Sequence, residues 1–473
     1  MTEKIQKKLS DSKGARWAAL AVVAFTMLCG YFLTDVMSPL KPMLESELLW
    51  SSTDYGIFTS AYGWFNVFLL MLIFGGIILD KMGVRFTGFN ACLLMLVGCG
   101  IKYYAISDYF AMDGLIILGM KAQVAIAAFG YAIFGVGVEI AGITVSKIIV
   151  KWFKGKELAL AMGLEMATAR IGTMLAMSVS VPFAKYFNSV SAPILLCFIM
   201  LCIGLIAFIV YIFMDRKLDA SLTDADKDAE EPFRVKDIFL IFSNKGFWLI
   251  ALLCVLFYSA VFPFLKYATD LMVNKYAVDP ELAGIIPSLL PLGTLFLTPF
   301  FGNLYDRKGK GATIMIIGAC MLIGVHLLFA LPLLNQWWFA TIIMIILGVA
   351  FSLVPSAMWP SVPKIIPENQ LGTAYALIFW VQNWGLMGVP ALIGWVLDRY
   401  CKLEGDGPAY DYTLPMIIFT GFGVLALVVA LMLKAEDKKK GMDLKNRISN
   451  NSTSSVNYNR GDIIRYPLFC NLV

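Results

Sequence analysis

Long apolar stretches recur from Trp17 to Lys434, separated by short connections that hold most of the charge. A helix needs about 20 predominantly apolar residues to cross the hydrocarbon core of a bilayer. Twelve segments meet that need, at roughly 17–40, 56–79, 86–107, 123–150, 157–184, 192–214, 246–269, 281–304, 312–334, 337–363, 370–397 and 412–434. Composition agrees, since 59% of the 473 residues are hydrophobic and 15% charged, against about 45–50% and about 25% in soluble domains. Twelve spans consume most of the apolar residues and leave little for a separate soluble domain. The expected fold class is therefore an all-α polytopic membrane protein. The stretch 108–121 is too short to span and reads as an amphipathic excursion before the fourth helix.

Lys and Arg gather on alternate connections, in Lys4 to Arg16, Lys81 and Arg85, Lys151 to Lys156, Arg216 and Lys217, Arg307 to Lys310, and Lys438 onward. Basic loops are retained in the cytoplasm, so this set, with both termini, is expected there. The longest polar connection, 215–245, divides the helices six and six. The expected organisation is a cytoplasmic segment 1–16, a six-helix half 17–214, a linker 215–245, a second half 246–434, and a disordered tail 435–473. The sequon at Asn451 would then lie on the wrong side for glycosylation.

A repeat supports the division. Gly76, Asp80, Lys81, Gly83 and Arg85 lie between helices two and three, and Gly302, Asp306, Arg307 and Gly309 repeat the spacing between helices eight and nine, with Lys310 as the basic equivalent one residue nearer than Arg85. The pattern suits a tight turn: the first Gly would let helices approach, Asp would cap a helix or pair with a base, and the second Gly would permit a left-handed backbone. Asp80, Arg85, Asp306 and Arg307 are thus candidate gating residues, together with Asp35 near the outer end of helix one.

Several chemistries are excluded. The nine cysteines show no CxxC, and seven (Cys29, Cys92, Cys99, Cys197, Cys202, Cys254, Cys320) lie in apolar segments, as small packing residues do. The single histidine, His326, leaves no histidine-based metal centre or Ser/His couple. No phosphate-binding G-x-x-x-x-G-K-[ST] loop occurs. Neither a metal, a cofactor nor ATP is expected, and the net charge of +5 needs no nucleic acid to explain it. The expected partners are a small-molecule substrate and the lipid bilayer.

With its paired Gly/Asp/basic loops, the chain resembles the major facilitator superfamily along nearly its whole length. Further stretches resemble the lysosomal dipeptide uniporter branch of animals and its microbial relatives: Tyr31-Phe32 with Asp35, Tyr62 with Trp64, Asn66 and Val67, Trp152 to Leu158 running on to Arg170 and Gly172, Leu371 to Tyr375 with Gln382-Asn383, Ala260 to Phe264, Met358-Trp359-Pro360, and His326. The resemblance implies a twelve-helix transporter in two six-helix halves that exposes a central site alternately to each side and carries small peptides down their gradient. It departs from the animal branch at Lys266 and Asp270, where uncharged residues are expected, and no acidic dileucine precedes Arg16. The expected location is a bacterial inner membrane, or a lysosomal membrane in an animal-like eukaryote.

Charges at mid-bilayer need a partner, a wet cavity or a ligand. Glu139 and Arg170 fall at matching depth in helices four and five. Three readings stand: a structural ion pair, a clamp for the amine and carboxylate of a zwitterion, or a proton-carrying Glu. A proton-coupled carrier of organic anions or amino acids is the alternative within the transporter class, and an intramembrane enzyme or receptor the alternative outside it. Asn66, Tyr258, Trp359 and Asn383 are further candidate substrate-binding residues, with Gln382 beside them, because a cavity needs hydrogen-bonding groups. Glu165 reads as a gate or a snorkelling charge, and His326 as a structural hydrogen-bonding group.

Overall fold

A computed structural model describes residues 9–440 except 113, 154–155, 222–234, 333–334, 368–369 and 405–408. The middle of the expected linker, the sequon and the tail beyond 440 lie outside the described residues. Among those described, the helices are α1 (Lys13–Asp35), α2 (Ser52–Ser60), α3 (Met71–Ile106), α4 (Ala122–Phe153), α5 (Leu158–Tyr186), α6 (Ala192–Ser221), α7 (Lys245–Tyr276), α8 (Ile285–Lys308), α9 (Gly311–Ala330), α10 (Trp337–Met358), α11 (Leu371–Tyr400) and α12 (Thr413–Lys440), with short helices between. By length and hydropathy ten helices qualify as membrane spans among the described residues. The other two crossings are α5, interrupted by Glu165 and Arg170, and the second segment, which is broken into pieces. That second crossing runs through α2, a 3-10 turn Ala61–Gly63, the short helix Trp64–Phe68, and the first part of α3.

Helix pairing repeats with a period of six. Within the first half α1 packs on α5 and α6, α3 on α4 and α6, and α2 on α4; in the second, α7 packs on α11 and α12, α9 on α10 and α12, and α8 on α10. The halves meet where α2 packs on α11 and α5 on α8. Large apolar side chains left exposed, such as Ile203, Ile206 and Phe213 on α6 or Val424, Leu425 and Val428 on α12, form a surface suited to lipid.

The bundle has a near face, where α1 begins and α12 ends, and a far face with the connections 36–51 and 401–412. The repeated loops lie at the near face. Gly83 has φ 77° and ψ 172°, and Gly309 has φ 64° and ψ −138°, backbone regions in which a Cβ is strained. This gives the second Gly its role in both copies. The first Gly behaves differently from expectation: a Cβ at Gly76 or Gly302 would meet nothing within 4 Å. No helix presses on either position in this conformation, so neither supports a close approach here.

Other expectations are modified. The stretch 108–121, expected as an amphipathic excursion, contains a small hairpin, Ile116–Ile117 paired with Met120–Lys121. Helix α6 continues to Ser221 and α12 to Lys440, past the expected boundaries at 214 and 434. Asp215, assigned to the linker from sequence, is a fully buried residue of α6.

Candidate functional site

Between the halves lies a cavity lined by residues of both, including Tyr31, Asp35, Tyr62, Glu139, Arg170, Phe262 and Lys266. Helix α4 brings Glu139 to it and α5 brings Arg170. The Glu139 carboxylate accepts a hydrogen bond from the Tyr62 hydroxyl at 2.9 Å. The Arg170 guanidinium lies 5.8 Å from the Tyr31 ring centre and 5.7 Å from that of Phe351, within cation–π range. An acid and a base thus face one space from neighbouring helices, each steadied by aromatic groups.

The far end of the cavity is sealed by charge. Lys266 of α7 donates to Asp35 of α1 at 2.6 Å and to the Thr34 carbonyl at 2.7 Å, and all three residues line the cavity. Asp35 therefore bridges the halves. Lys266, set apart in sequence only as a departure from the family, is its partner.

Among the described residues, the ion pairs joining the halves all lie at or toward the far face: Asp35 with Lys266, Lys41 with Asp270 at 2.6 Å, and Lys185 with Glu281 at 2.9 Å. Hydrogen bonds reinforce them. Asp398 accepts from the Ser52 and Thr53 amides at 3.3 and 2.5 Å, and Tyr55 donates to the Lys266 carbonyl at 2.8 Å. The far side is closed.

The remaining candidates are placed outside the cavity lining. Trp359 donates to the Tyr258 hydroxyl at 3.1 Å, and both sit in an aromatic layer that reaches Phe351, the ring beside Arg170. Asn383 donates to the Phe379 carbonyl and lies within interaction range of Glu139; Asn66 donates to the Tyr62 carbonyl. The Oδ1 atoms of both asparagines are buried with no hydrogen-bond donor in reach. Glu165 is buried near Arg170. His326 meets the Ala260 carbonyl at 2.9 Å between the rings of Phe264 and Phe419. Tyr31, Tyr62, Tyr131 and Lys266 also line the cavity; a Tyr or Lys in a membrane helix reads from sequence equally well as a packing or interface residue.

At the near face, Asp80 pairs with Lys147 of α4 at 3.2 Å, and Arg85 pairs with Asp219 at 2.9 Å and Asp215 at 3.6 Å of α6. In the second copy, Arg307 donates to Asn303 of its own helix at 3.2 Å, and Lys364 acts electrostatically on Asp306. Every one of these contacts stays within one half.

Comparison with known proteins fits this architecture. The lysosomal dipeptide transporter MFSD1 of Bos taurus is 27% identical over 407 residues, 82% of this chain and 81% of the relative. The hexuronate transporter of Bacillus subtilis is 21% identical over 450 residues, covering 91% and 98%. Among solved structures, a bacterial homolog of the human lysosomal transporter Spinster, in an inward-facing and unoccupied conformation, superposes with a TM-score of 0.72 at 15% identity, covering 93% of this chain and all of that one. The protein is thus a membrane transporter rather than an enzyme. The model of the Major Facilitator Superfamily matches residues 23–390, and the chain belongs to that family.

Proposed function

We propose that this transporter carries dipeptides or similar small zwitterions down their gradient by alternating access. The observation that carries the reading is the presence of Glu139 and Arg170 on one cavity wall. Glu139 takes the substrate amine, and Arg170 offers the carboxylate a bidentate fork. Asn66, Tyr258, Trp359 and Asn383 back these two groups and meet the substrate as the cavity closes. Asp35, Asp80, Arg85, Asp306 and Arg307 control the two gates. In this reading the near face is cytoplasmic, and the membrane is a bacterial inner membrane or a lysosomal one. The relatives named as lysosomal dipeptide transporters support the substrate class.

A second reading, proton-coupled transport of organic anions, rests on Arg170 and Lys266 as two cations on one cavity and on the relatives named as hexuronate transporters.

Uptake into proteoliposomes separates them. Arg170→Ala removes a charge-assisted contact of roughly 1.5–3 kcal/mol, or on the order of ten- to a hundredfold in affinity for free dipeptides. Glu139→Gln should impair substrates with a free amine and spare N-acetylated ones. If the double variant Glu139→Gln, Arg170→Gln transports free dipeptides as well as the parent, the clamp is wrong and the two groups only neutralise each other. Accumulation that collapses with a protonophore would favour the second reading.

A further inference from the structure

Beyond Asp35 and Lys266, toward the far face, a second cluster of charges is shut between the halves and plays no part in the clamp. Lys41 lies in the short helix Lys41–Glu47, which follows α1, and is 0% exposed. Its ammonium donates to Glu45 Oε1 at 2.7 Å and to Asp270 Oδ2 of α7 at 2.6 Å. Asp270 is well supplied with donors, since Asn274 reaches its Oδ1 at 2.9 Å and Tyr412 also donates to Oδ2. Glu45 is not. Ser52 of α2 donates to Oε1 at 2.7 Å, but Oε2 is buried with no donor in reach.

Among the described residues, Lys41 is the cation that acts on Glu45. The rings of Tyr410 and Tyr267 lie 4.6 and 6.0 Å from the Lys41 ammonium. The next carboxylate, Asp398 at the end of α11, is held by the Ser52 and Thr53 amides, the Tyr410 hydroxyl and Lys402. Two buried carboxylates therefore share one ammonium. A second negative charge sealed from water carries a large desolvation penalty, and it falls on the carboxyl with the fewest donors.

We propose that Glu45 is a proton-binding site of the far gate, occupied while the gate is shut and emptied when Asp270 withdraws with the second half and water enters. Burial raises the Glu45 carboxyl above its ordinary value, against the opposing pull of Lys41. The closed gate then binds one proton more than the open gate, so closure is favoured as pH falls. The bias is complete below the ordinary carboxyl value of about 4.3 that Glu45 regains in water, and is lost as pH rises through its raised value in the closed gate. Within that window the closed-to-open ratio changes by up to about tenfold per pH unit. The proton comes from the far side and returns to it, so it times the gate without driving uphill transport. An acidic compartment at the far face would hold the carrier open to the near face.

Spin labels on Leu49→Cys and Leu403→Cys, exposed far-face positions in the two halves, report gate opening as a distance; Cys202 and Cys320 are replaced by Ala to limit background labelling. In substrate-free nanodiscs the far-open population of the parent should rise several-fold between about pH 5 and about pH 8. Glu45→Gln, which cannot ionise, should stay closed at both, and Glu45→Asp should restore the response. Asp270→Asn leaves Lys41 a single carboxylate and should also abolish it. A pH-independent parent, a response that persists in Glu45→Gln or Asp270→Asn, or a Glu45→Gln protein that is open at low pH would each overturn the proposal. Because no substrate is present, the outcome does not depend on what the carrier moves.

Discussion

The two ends of the bundle use charge in opposite ways. At the far face, acids and bases from different halves are buried together, as with Lys41 and Asp270, whose side chains are 0% and 2% exposed. At the near face, pairs such as Asp80 with Lys147 and Lys151 with Asp215 and Asp219 stay within one half. The consequence is mechanical. Far-face pairs must break for the halves to rock apart there, whereas near-face pairs keep each half rigid while it moves. Burial ranks the individual pairs energetically within both sets, since removing one partner from a buried pair strands a charge in low dielectric, while a half-exposed pair competes with water and is worth little.

The largest expected effect is at the most buried pair. Asp270→Ala leaves Lys41 with Glu45 alone and removes the acceptor for Tyr412 and one of two for Asn274, so the far-closed state should lose about 3–5 kcal/mol. The far-face spin-label distance should shift decisively to its open value at neutral pH; a distribution like that of the parent would mean that this cluster does not hold the halves together.

A smaller effect is expected at the near face. Asp80→Ala breaks a partly exposed pair inside the first half, with a stability cost of about 0.2–1 kcal/mol, yet it should slow transport because α3 and α4 no longer move as one. Equal transport rates at equal membrane abundance would remove Asp80 from the gate.

The smallest effect belongs to Lys185 and Glu281, which join the halves at 2.9 Å but are 42% and 51% exposed. Lys185→Ala should change thermal stability by less than about 1 kcal/mol, and less again at high salt. A large, salt-insensitive loss would show that position at the interface, and not burial, sets the value of these pairs.

Gly76 and Gly302 extend the comparison. Both lie at the near face with open space where a Cβ would be, so their small size has no packing role in the far-closed conformation.

The sequence alone determined the membrane setting, the helix count and the two-half plan, because the length of an apolar run is a local property fixed by bilayer thickness. It also determined the left-handed turns at Gly83 and Gly309, since backbone strain depends on the residue itself. The pairing of Glu139 and Arg170 on one cavity was approachable, because depth along a helix can be counted at about 1.5 Å per residue. Which way a side chain points between two halves cannot be counted in that way. Only the tertiary structure decided that Tyr258 and Trp359 bond to each other behind the cavity, that Asp215 is buried in α6, and that Lys266 meets Asp35 across 231 residues. It alone brought Asp270 to Lys41 and left one oxygen of Glu45 without a donor. Such contacts arise from how two rigid bodies dock, and no local pattern in either half encodes the partner that docking supplies.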